Sequence, residues 1–292
     1  MRDYLVFVRA GKTSLHPQWL ADDPDRNWDC CVNAWGEQVP EQPGAEAEWH
    51  ETGGLNKFIG FQEIFPRLLA RFSHRYVLML DDDLEFTPGD ISRFFRYCET
   101  HRLNLAQPAI RLGSHANHVI NICNPLCEVR RVNFVEVMAP CFDRVTVERV
   151  MPTLSLTMCT WGIDWAWASI LSPHGRLAVV DAVAMHHTKP MDITGGPFYQ
   201  RLKSMGIDPA QELAWVHKRY PIREPMHTLQ GGHVYRWPLP DTVNAALVAG
   251  LERHKLWLHL RLGGTYAQQT PPPKHVPEAK PVGQVSTSDS SG

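Results

Sequence analysis

The sequence changes abruptly after residue 80, where a run of apolar residues is followed by three consecutive carboxylates. The run Tyr76–Leu80 contains aromatic and β-branched residues and is typical of a strand buried on both faces of a mostly parallel sheet. Asp81, Asp82 and Asp83 follow directly. Unpaired carboxylates are costly to bury, so they mark the point at which the strand leaves the core. In open α/β sheets, ligands bind at this carboxyl end of the strands.

Three adjacent acids repel one another unless a cation lies among them. Oxygen ligands favour a hard cation such as Mg²⁺ or Mn²⁺, and a site with few carboxylates leaves coordination positions for substrate phosphates. The alternative is a solvated acidic turn, followed by a helix that Asp90 caps. The buried-type strand in front of the triplet favours the metal site.

Composition is that of an ordinary globular protein. The chain has 292 residues, of which 43% are hydrophobic and 21% charged, enough for one large domain or two small ones. A formal net charge of −2 produces no global field that would attract nucleic acid or an anionic membrane. The chain has seven cysteines, an odd number, and no recognisable signal peptide. Together these features predict reduced thiols in a cytoplasmic protein. No run reaches the roughly 18 apolar residues of a membrane span.

Strand-like and helix-like patterns alternate along the first two thirds of the chain. We expect a loop over 37–54, which is rich in Pro, Glu and Gly, and another over 111–127. The predicted strands cover residues 4–8, 28–33, 103–107 (ended by Pro108), 132–138 and 177–183. The predicted helices cover 57–72 with a kink at Pro66, 91–101 after Asp90, the stretch from Asp143 to 151, and 165–171.

The last third of the chain has a weaker pattern. Helices are predicted over 198–205, 209–219 and 245–262, and the tail lacks core-forming residues. We therefore expect a catalytic domain over 1–195, a helical extension packed on it over 196–266, and a disordered tail over 267–292. The helix 245–262 mixes Lys, Arg and His with Leu and Trp, so two interpretations stay open. One is a peripheral membrane contact, and the other, which we favour, is packing on the main domain.

Other candidate site residues follow predicted strands. Arg9 and Gly11 come after the first strand and either face a nucleotide or form a plain surface turn. His186 and His187 come after the strand 177–183. Imidazoles at a strand end are common partners of metals or phosphates, although taken alone they would more often be ordinary loop residues.

The segment around Asp164 predicts acid–base chemistry. Gly162 allows a tight backbone approach, and the apolar spacing after it places Asp164 at a helix start, where the helix dipole keeps a carboxylate ionised. An ionised carboxylate beside the aromatic wall of Trp161 and Trp165 can act as a general base toward a sugar hydroxyl. The alternative is a helix cap with no further role.

Taken in order, these segments resemble a family of glycosyltransferase-like proteins long known only as a domain of unknown function. The resemblance covers roughly residues 4–192 and rests on the whole set. Its segments are 5–11, 14–20, 56–60 (Asn-Lys-Phe-Ile-Gly), 80–84 (Leu-Asp-Asp-Asp-Leu), 106–109, 133–140, 161–165 (Trp-Gly-Ile-Asp-Trp), and Asp181 with 186–190.

The resemblance implies a GT-A-type fold, a Rossmann-like mixed sheet flanked by helices, with a nucleotide-sugar donor and a divalent metal, Mn²⁺ or Mg²⁺. The acidic triplet is similar to the Asp-any-Asp motif, which makes Asp83 and Asp81 metal ligands and implies His186, slightly favoured, or His187 as a late ligand. The implied donor contacts, beside Arg9 and Gly11, are Lys57, Asp81 and Asp82. The implied acceptor contacts are Trp161, Gly162 and Trp165, with Asp164 as the base.

The sequence thus predicts a metal-dependent glycosyltransferase that moves a sugar to a glycan, polysaccharide or lipid-linked acceptor. One alternative is a metal-dependent nucleotidyltransferase, which shares the acids but does not need the Trp-Gly-any-Asp segment. Another is a non-catalytic glycan-binding module of the same fold. No nucleic-acid partner is expected.

Overall fold

The structure, a computed structural model, describes residues 1–35, 46–69, 73–172, 174–192, 195–221 and 224–267. Strands and helices alternate over most of this range. The strands are β1 (Tyr4–Ala10), β2 (Trp28–Ala34), β3 (Trp49–Thr52), β4 (Tyr76–Leu80), β5 (Leu84–Glu85), β6 (Leu105–Ile110), β7 (His115–Ala116), β8 (Cys127–Arg131), β9 (Cys141–Asp143), β10 (Leu177–His187), β11 (Val234–Tyr235) and β12 (Thr265–Tyr266). The helices are α1 (His16–Ala21), α2 (Lys57–Leu69), α3 (Asp90–Thr100), α4 (Arg144–Val150), α5 (Ile163–Leu171), α6 (Pro197–Ser204), α7 (Pro209–Arg219) and α8 (Asp241–Arg261).

One mixed sheet forms the centre of the described part of the chain. Its order is β11-β8-β10-β6-β9-β4-β1-β2-β3, with β5 paired to β10. The strands β3, β2, β1 and β4 are parallel neighbours, and β6 is parallel to β10. The short strand β9 runs antiparallel to both β4 and β6, so these two strands point the same way. The carboxyl ends of β1, β4, β6 and β10 therefore meet at one edge of the sheet.

Helices cover both faces of this sheet, which is why its central strands are mostly apolar. Every residue of β4 is buried, as predicted for Tyr76–Leu80. On one face the core includes Trp19 of α1 and Phe94 of α3. On the other it includes Phe58 of α2 and Trp167 of α5. The predicted α/β class, a mixed sheet flanked by helices, is confirmed.

Four local predictions are wrong, and three of them concern a strand, a loop and a helix cap. The predicted strand 132–138 is largely irregular, and the strand ends earlier, with β8. The predicted loop 37–54 contains β3, which extends the sheet beside β2; residues 36–45 of that loop lie outside the described residues. Asp90 does not cap α3, because Gly89 holds the cap position with φ 75° and Asp90 is the first helical residue.

Pro108 does not end its strand, contrary to the prediction. It lies inside β6, where β9 pairs with Leu105 and Ala106 but not beyond them. On the other side, the register with β10 shifts between Val180 and Ala184. A proline lacks the N–H of a regular ladder, so it is tolerated where pairing is interrupted in this way.

The remaining predicted strands and helices are present with small shifts in their bounds. Pro66 lies inside α2, Asp143 caps α4 by accepting from the Thr146 N–H, and β10 runs to His187. The seven cysteines are free thiols. In the described part of the chain, none of the helices combines the length and the apolar character needed to span a membrane.

The segment 196–266 is joined to the main sheet rather than being only a helical layer. It contains α6, α7 and α8, and its strand β11 pairs with β8 at the sheet edge. Near the end of α8, β12 pairs with β7. The expected disordered tail falls, from residue 268 onward, outside the described residues.

A buried ionic cluster fixes α8 against the sheet. The fully buried Arg130 of β8 pairs with Asp181 of β10, Nε to Oδ2 at 2.9 Å, and donates to the carbonyl of Ile120 at 2.7 Å. Glu252 of α8 lies 3.5 Å from the same guanidinium and 3.0 Å from the Lys255 ammonium. A buried carboxylate keeps its charge at acceptable cost only with such partners.

We therefore expect Arg130→Met to lower the free energy of unfolding by about 3–5 kcal/mol, because it leaves Asp181 buried without its partner. Arg67→Met is the matched control. Its pairing with Glu51 is at the surface, and exposed ion pairs contribute less than about 1 kcal/mol. Urea unfolding at neutral pH measures both, and similar losses in the two variants would contradict the structural role of Arg130.

Candidate active site

A pocket of about 740 Å³ lies at the carboxyl ends of β1 and β4. Most of the residues that the sequence singles out line it, although they come from distant parts of the chain. His186, by contrast, is not part of the pocket wall that the described residues form. The predicted residues in the wall are Arg9, Gly11, Lys57, Asp81, Asp82, Asp83, Trp161, Gly162, Asp164, Trp165 and His187.

Lys57 supports the acidic triplet from beneath. Its ammonium donates to Asp81 Oδ1 at 2.8 Å and to the carbonyls of Met79 and Met138 at 3.3 and 2.6 Å. An ammonium has three N–H donors, so these protein oxygens use all of them. Lys57 therefore holds Asp81 in place. The resemblance implied a different role, a contact between Lys57 and the donor. The Asp81 side chain is still 47% exposed.

Asp82 faces the turn after β1. Its Oδ2 accepts the Gly11 N–H at 2.7 Å. A Cβ on Gly11 would lie 2.8 Å from Trp35 Nε1, so this position requires glycine for the close approach of the Trp35 ring. Burial raises the pKa of Asp82 to about 6, against the effect of that hydrogen bond. Asp82 thus fixes the loop that carries Gly11 and Trp35 at the pocket.

His187, not the slightly favoured His186, lies beside Asp83. Its Nε2 is 3.5 Å from Asp83 Oδ2, and successive side chains of a strand point to opposite faces, which directs His186 away. Burial lowers the pKa of His187, but the hydrogen bond and charge of Asp83 outweigh it and raise the pKa overall. Burial likewise raises the pKa of Asp83, but His187 and the charge of Lys189 lower it overall, so the carboxylate stays ionised.

This pair fits a hard divalent cation with few protein ligands. Asp83 Oδ2 and His187 Nε2 are 3.5 Å apart, close enough that both residues could hold one cation. Within the described residues, no three or more His, Cys, Asp or Glu side chains are grouped as a metal site. A site with few protein ligands would leave coordination positions for substrate phosphates.

Asp164 lies in the first turn of α5, on the opposite wall. Gly162 holds the cap position with φ 87°, and a Cβ there would lie 3.0 Å from Val216 Cβ of α7. The Asp164 carboxylate is 5% exposed and accepts the Trp165 N–H at 3.0 Å. Burial raises its pKa to about 7 despite that hydrogen bond. The prediction that the helix dipole keeps the Asp164 carboxylate ionised is therefore wrong, because desolvation of the carboxylate is the larger effect on its pKa.

Glu136 is a second buried acid in the pocket, and the sequence analysis did not single it out as a site residue. It is 1% exposed, and burial raises its pKa to about 7. Its Oε2 lies 3.9 Å from His118 Nε2, whose pKa burial lowers to about 4, so that imidazole is neutral. The charge of Glu136 also raises the pKa of Asp164. The irregular segment 132–140, mistaken for a strand, is what brings Glu136 into the wall.

Aromatic rings surround this acidic pair. The Trp161 Nε1–H donates to the Tyr199 hydroxyl at 2.9 Å, and Trp165 packs on Phe134 with ring centroids 4.9 Å apart. Phe198 completes the wall with Tyr199. Tyr199 and Phe198 belong to α6, beyond residue 195, so the expected domain boundary cuts through the pocket. Apolar ring faces beside polar groups are suited to a ligand with both apolar and hydroxyl surfaces, such as a sugar.

Three cations, Arg9, Lys189 and Arg201, line the pocket. Arg9 donates to Asn33 Oδ1 and to the carbonyls of Gly53 and Gly54. Burial and the nearby charge of Arg201 lower its pKa to about 10. Lys189 donates to the Thr13 hydroxyl at 2.9 Å, and its charge lowers the pKa of Asp83. The pocket wall therefore carries positive charge beside the acidic triplet.

Comparison with known proteins gives no family. No protein-family model and no curated protein matches the chain. Among solved structures, GalNAc-T7 with UDP, GalNAc and Mn²⁺ matches 75% of this chain and 48% of its own, at 11% identity and a TM-score of 0.46. For TarS residues 1–349 from S. aureus, the match covers 76% of this chain and 73% of the TarS chain, at 10% identity and a TM-score of 0.41. For A197 from STIV, it covers 65% of this chain and 86% of the A197 chain, at 10% identity and a TM-score of 0.38.

The raised pKa of Asp164 predicts a stability difference that depends on pH. A carboxyl with a pKa of about 7 folded and about 3.9 unfolded binds more protons in the native state between these values. Its contribution therefore turns unfavourable as pH rises from about 4 to about 7. We expect Asp164→Asn to gain stability over the parent by about 2–4 kcal/mol from pH 4 to pH 8, at 1.36 kcal/mol for each unit of pKa.

Urea unfolding of parent and variant at several pH values measures this difference. Glu136→Gln should likewise gain stability relative to the parent as pH rises, because burial also raises the pKa of Glu136 to about 7. A difference between Asp164→Asn and the parent that stays constant from pH 4 to pH 8 would contradict the buried-acid assignment.

Proposed function

We propose that this protein is a metal-dependent glycosyltransferase of the GT-A type, which moves a sugar from a nucleotide-sugar donor to a glycan, polysaccharide or lipid-linked acceptor. One observation carries the proposal. The Asp83–His187 pair and the buried acids Asp164 and Glu136 line the same pocket. One group suits a cation and phosphates, and the other suits proton transfer from a hydroxyl. A sugar between them would have its leaving group on one side and its acceptor on the other.

The donor side must bind and stabilise a nucleoside diphosphate. Asp83 and His187 would hold a Mn²⁺ or Mg²⁺ ion, which would supply positive charge to stabilise the leaving diphosphate. Arg9, Arg201 and Lys189 add fixed cations around the same pocket. Charge stabilisation that is already in position when the leaving group becomes negative lowers the barrier most. Lys57 has the separate role of keeping Asp81 in place.

The acceptor side must remove one proton. As the acceptor oxygen bonds to the anomeric carbon, the bond from that carbon to the diphosphate oxygen breaks and the diphosphate leaves with the electron pair. The acceptor's hydroxyl proton passes to Asp164. A base is most effective when its pKa is near the working pH, and a pKa of about 7 meets this condition. Trp161 and Trp165 hold the acceptor beside the carboxylate.

A nucleotide-sugar panel tests the proposal against the two alternatives. The full chain is incubated with each nucleotide sugar and Mn²⁺, and the products are analysed for nucleoside diphosphate. Release of nucleoside diphosphate that requires the metal supports the transferase. Formation of pyrophosphate from a sugar phosphate and a nucleoside triphosphate would identify a nucleotidyltransferase instead. Glycan binding without turnover of any donor would identify a non-catalytic module.

Asp83→Asn tests the metal assignment. An amide lacks the charge of the carboxylate, so we expect the Mn²⁺-dependent part of donor affinity to fall at least tenfold, measured by calorimetry with a nucleotide sugar. His187→Ala should weaken it in the same direction. Asp3→Asn is the matched control, because Asp3 is an exposed surface residue paired with Arg75. Unchanged Mn²⁺-dependent affinity in Asp83→Asn would refute its role as a ligand.

Asp164→Asn tests the base. Loss of a general base typically slows a reaction by about 10²–10⁴-fold, whereas donor binding should stay normal because the cations lie elsewhere in the pocket. The capping alternative predicts near-normal transfer, since Asn caps a helix about as well as Asp. The structure already weighs against it, because Gly162 and not Asp164 holds the cap position. Transfer within about threefold of the parent rate, well short of that range, would leave Asp164 without a catalytic role.

A further inference from the structure

The long helix α8 buries several polar side chains and exposes several large apolar ones. A surface helix normally turns its apolar side to the core and its polar side to water. In α8 the buried residues are Asn244, Val248, Lys255 and His259, of which three are polar. Seven of the eleven large apolar side chains that are exposed in the described part of the chain lie between residues 237 and 262. Such a concentration marks an interaction site.

The helix cannot hide its apolar side by rolling, because contacts fix its inward side. Glu252 accepts from the Asn124 amide at 2.8 Å, and the Lys255 ammonium donates to the Ile120 carbonyl at 3.4 Å. His259 Nδ1 accepts the Gly113 N–H at 3.3 Å. Rotation would break these contacts to other elements and leave buried polar groups without their partners, which is costly. The outward side is therefore a permanent feature of the folded protein.

The outward side of α8 is a straight stripe along its length. Its residues recur every three or four positions, so they lie on one line of the helix, about 27 Å long at 1.5 Å per residue. Leu247 is 46% exposed and Trp257 is 61% exposed. We call this set the outer stripe; its residues are Val243, Leu247, Gly250, His254, Trp257 and Arg261.

The outer stripe continues past the N-terminal end of the helix. Trp237 is 56% exposed, and Leu239 is also exposed. The carbonyls of both residues accept hydrogen bonds from the Asn244 amide, at 3.1 and 2.9 Å, so the segment before the helix is fixed to its first turn. An exposed tryptophan therefore lies near each end of this surface. Tryptophan is enriched where an apolar layer meets water.

After Asp241, the first residue of α8, the exposed charges of the helix are positive and belong to Arg253 and Arg261. Between residues 242 and 262 the sole acidic residue in the sequence is Glu252, whose carboxylate points inward at Lys255. The Arg261 guanidinium lies 5.5 Å from the centroid of the Trp257 ring. Apolar and aromatic side chains flanked by arginines are complementary to an anionic lipid surface.

We propose that the outer stripe of α8 docks the protein on an anionic lipid surface. Trp257 and Leu247 enter the boundary between headgroups and acyl chains, and Arg253 and Arg261 contact lipid phosphates. A second copy of the chain fits less well, because pairing two outer stripes would bring their basic residues together without acidic partners. The docking does not depend on the proposed reaction, since none of these residues lines the pocket.

Vesicle flotation with the full chain tests the proposal. We expect the parent to float with vesicles of phosphatidylcholine and phosphatidylglycerol, but not with phosphatidylcholine alone, and to detach at high salt, which screens charge. Leu247→Ser with Trp257→Ser should weaken binding at least tenfold, and Arg253→Gln with Arg261→Gln should remove the preference for the anionic vesicles. The matched control is Val145→Ser with Met205→Ser, which replaces two exposed apolar residues elsewhere and should bind like the parent.

Circular dichroism and thermal unfolding establish that each variant is folded, which is expected because the substituted side chains are exposed. No flotation of the parent with anionic vesicles would overturn the proposal. Equal losses in the stripe variant and the control would also overturn it. Sedimentation velocity adds a third outcome, since a parent dimer that the stripe variant converts to a monomer would assign this surface to self-association instead.

Discussion

The pocket depends on one buried contact, the Lys57 ammonium beneath the Asp81 carboxylate. Three acids at the end of a buried strand repel one another and resist desolvation. Lys57 offsets part of this cost, and its bonds to the carbonyls of Met79 and Met138 join α2, β4 and the segment before β9 at one point. The same contact leaves Asp83 free to face His187. The ammonium thus determines which of the three acids is available to a cation.

The two sides of the pocket differ in how burial acts on their carboxyl groups. Asp83 keeps a lowered pKa because His187 and Lys189 lie beside it. Burial raises the pKa of Asp164 and of Glu136 to about 7, and for Glu136 it outweighs the nearby charges of His187 and Lys57. The pocket thereby holds an ionised carboxylate, Asp83, together with two titratable acids, a combination suited to acid–base catalysis beside a charged leaving group. The proposed transfer reaction follows from this asymmetry.

Sequence reasoning found both ends of β4 because an apolar run followed by charge reports directly on burial. It placed Asp83 and Asp164 in one pocket for that reason, together with the family resemblance. It missed Glu136 because the surrounding residues have the composition of a strand although their backbone is irregular. It could not distinguish His186 from His187, because their side chains point to opposite faces of β10 and the sequence does not show which face lies toward the pocket. It did not predict that Lys57 donates to Asp81 and to the carbonyls of Met79 and Met138, because such long-range contacts leave no local pattern in the sequence.

The central claim is that a cation and a nucleoside diphosphate bind between the acidic triplet and the basic residues of one pocket. Crystals grown with Mn²⁺ and a nucleoside diphosphate, with diffraction measured at the manganese absorption edge, test it most directly. The account predicts an anomalous peak within bonding distance of Asp83 and His187, with the diphosphate on the open side of the ion toward Arg9 and Arg201. A manganese peak held by other residues, or a nucleotide bound outside this pocket, would contradict it.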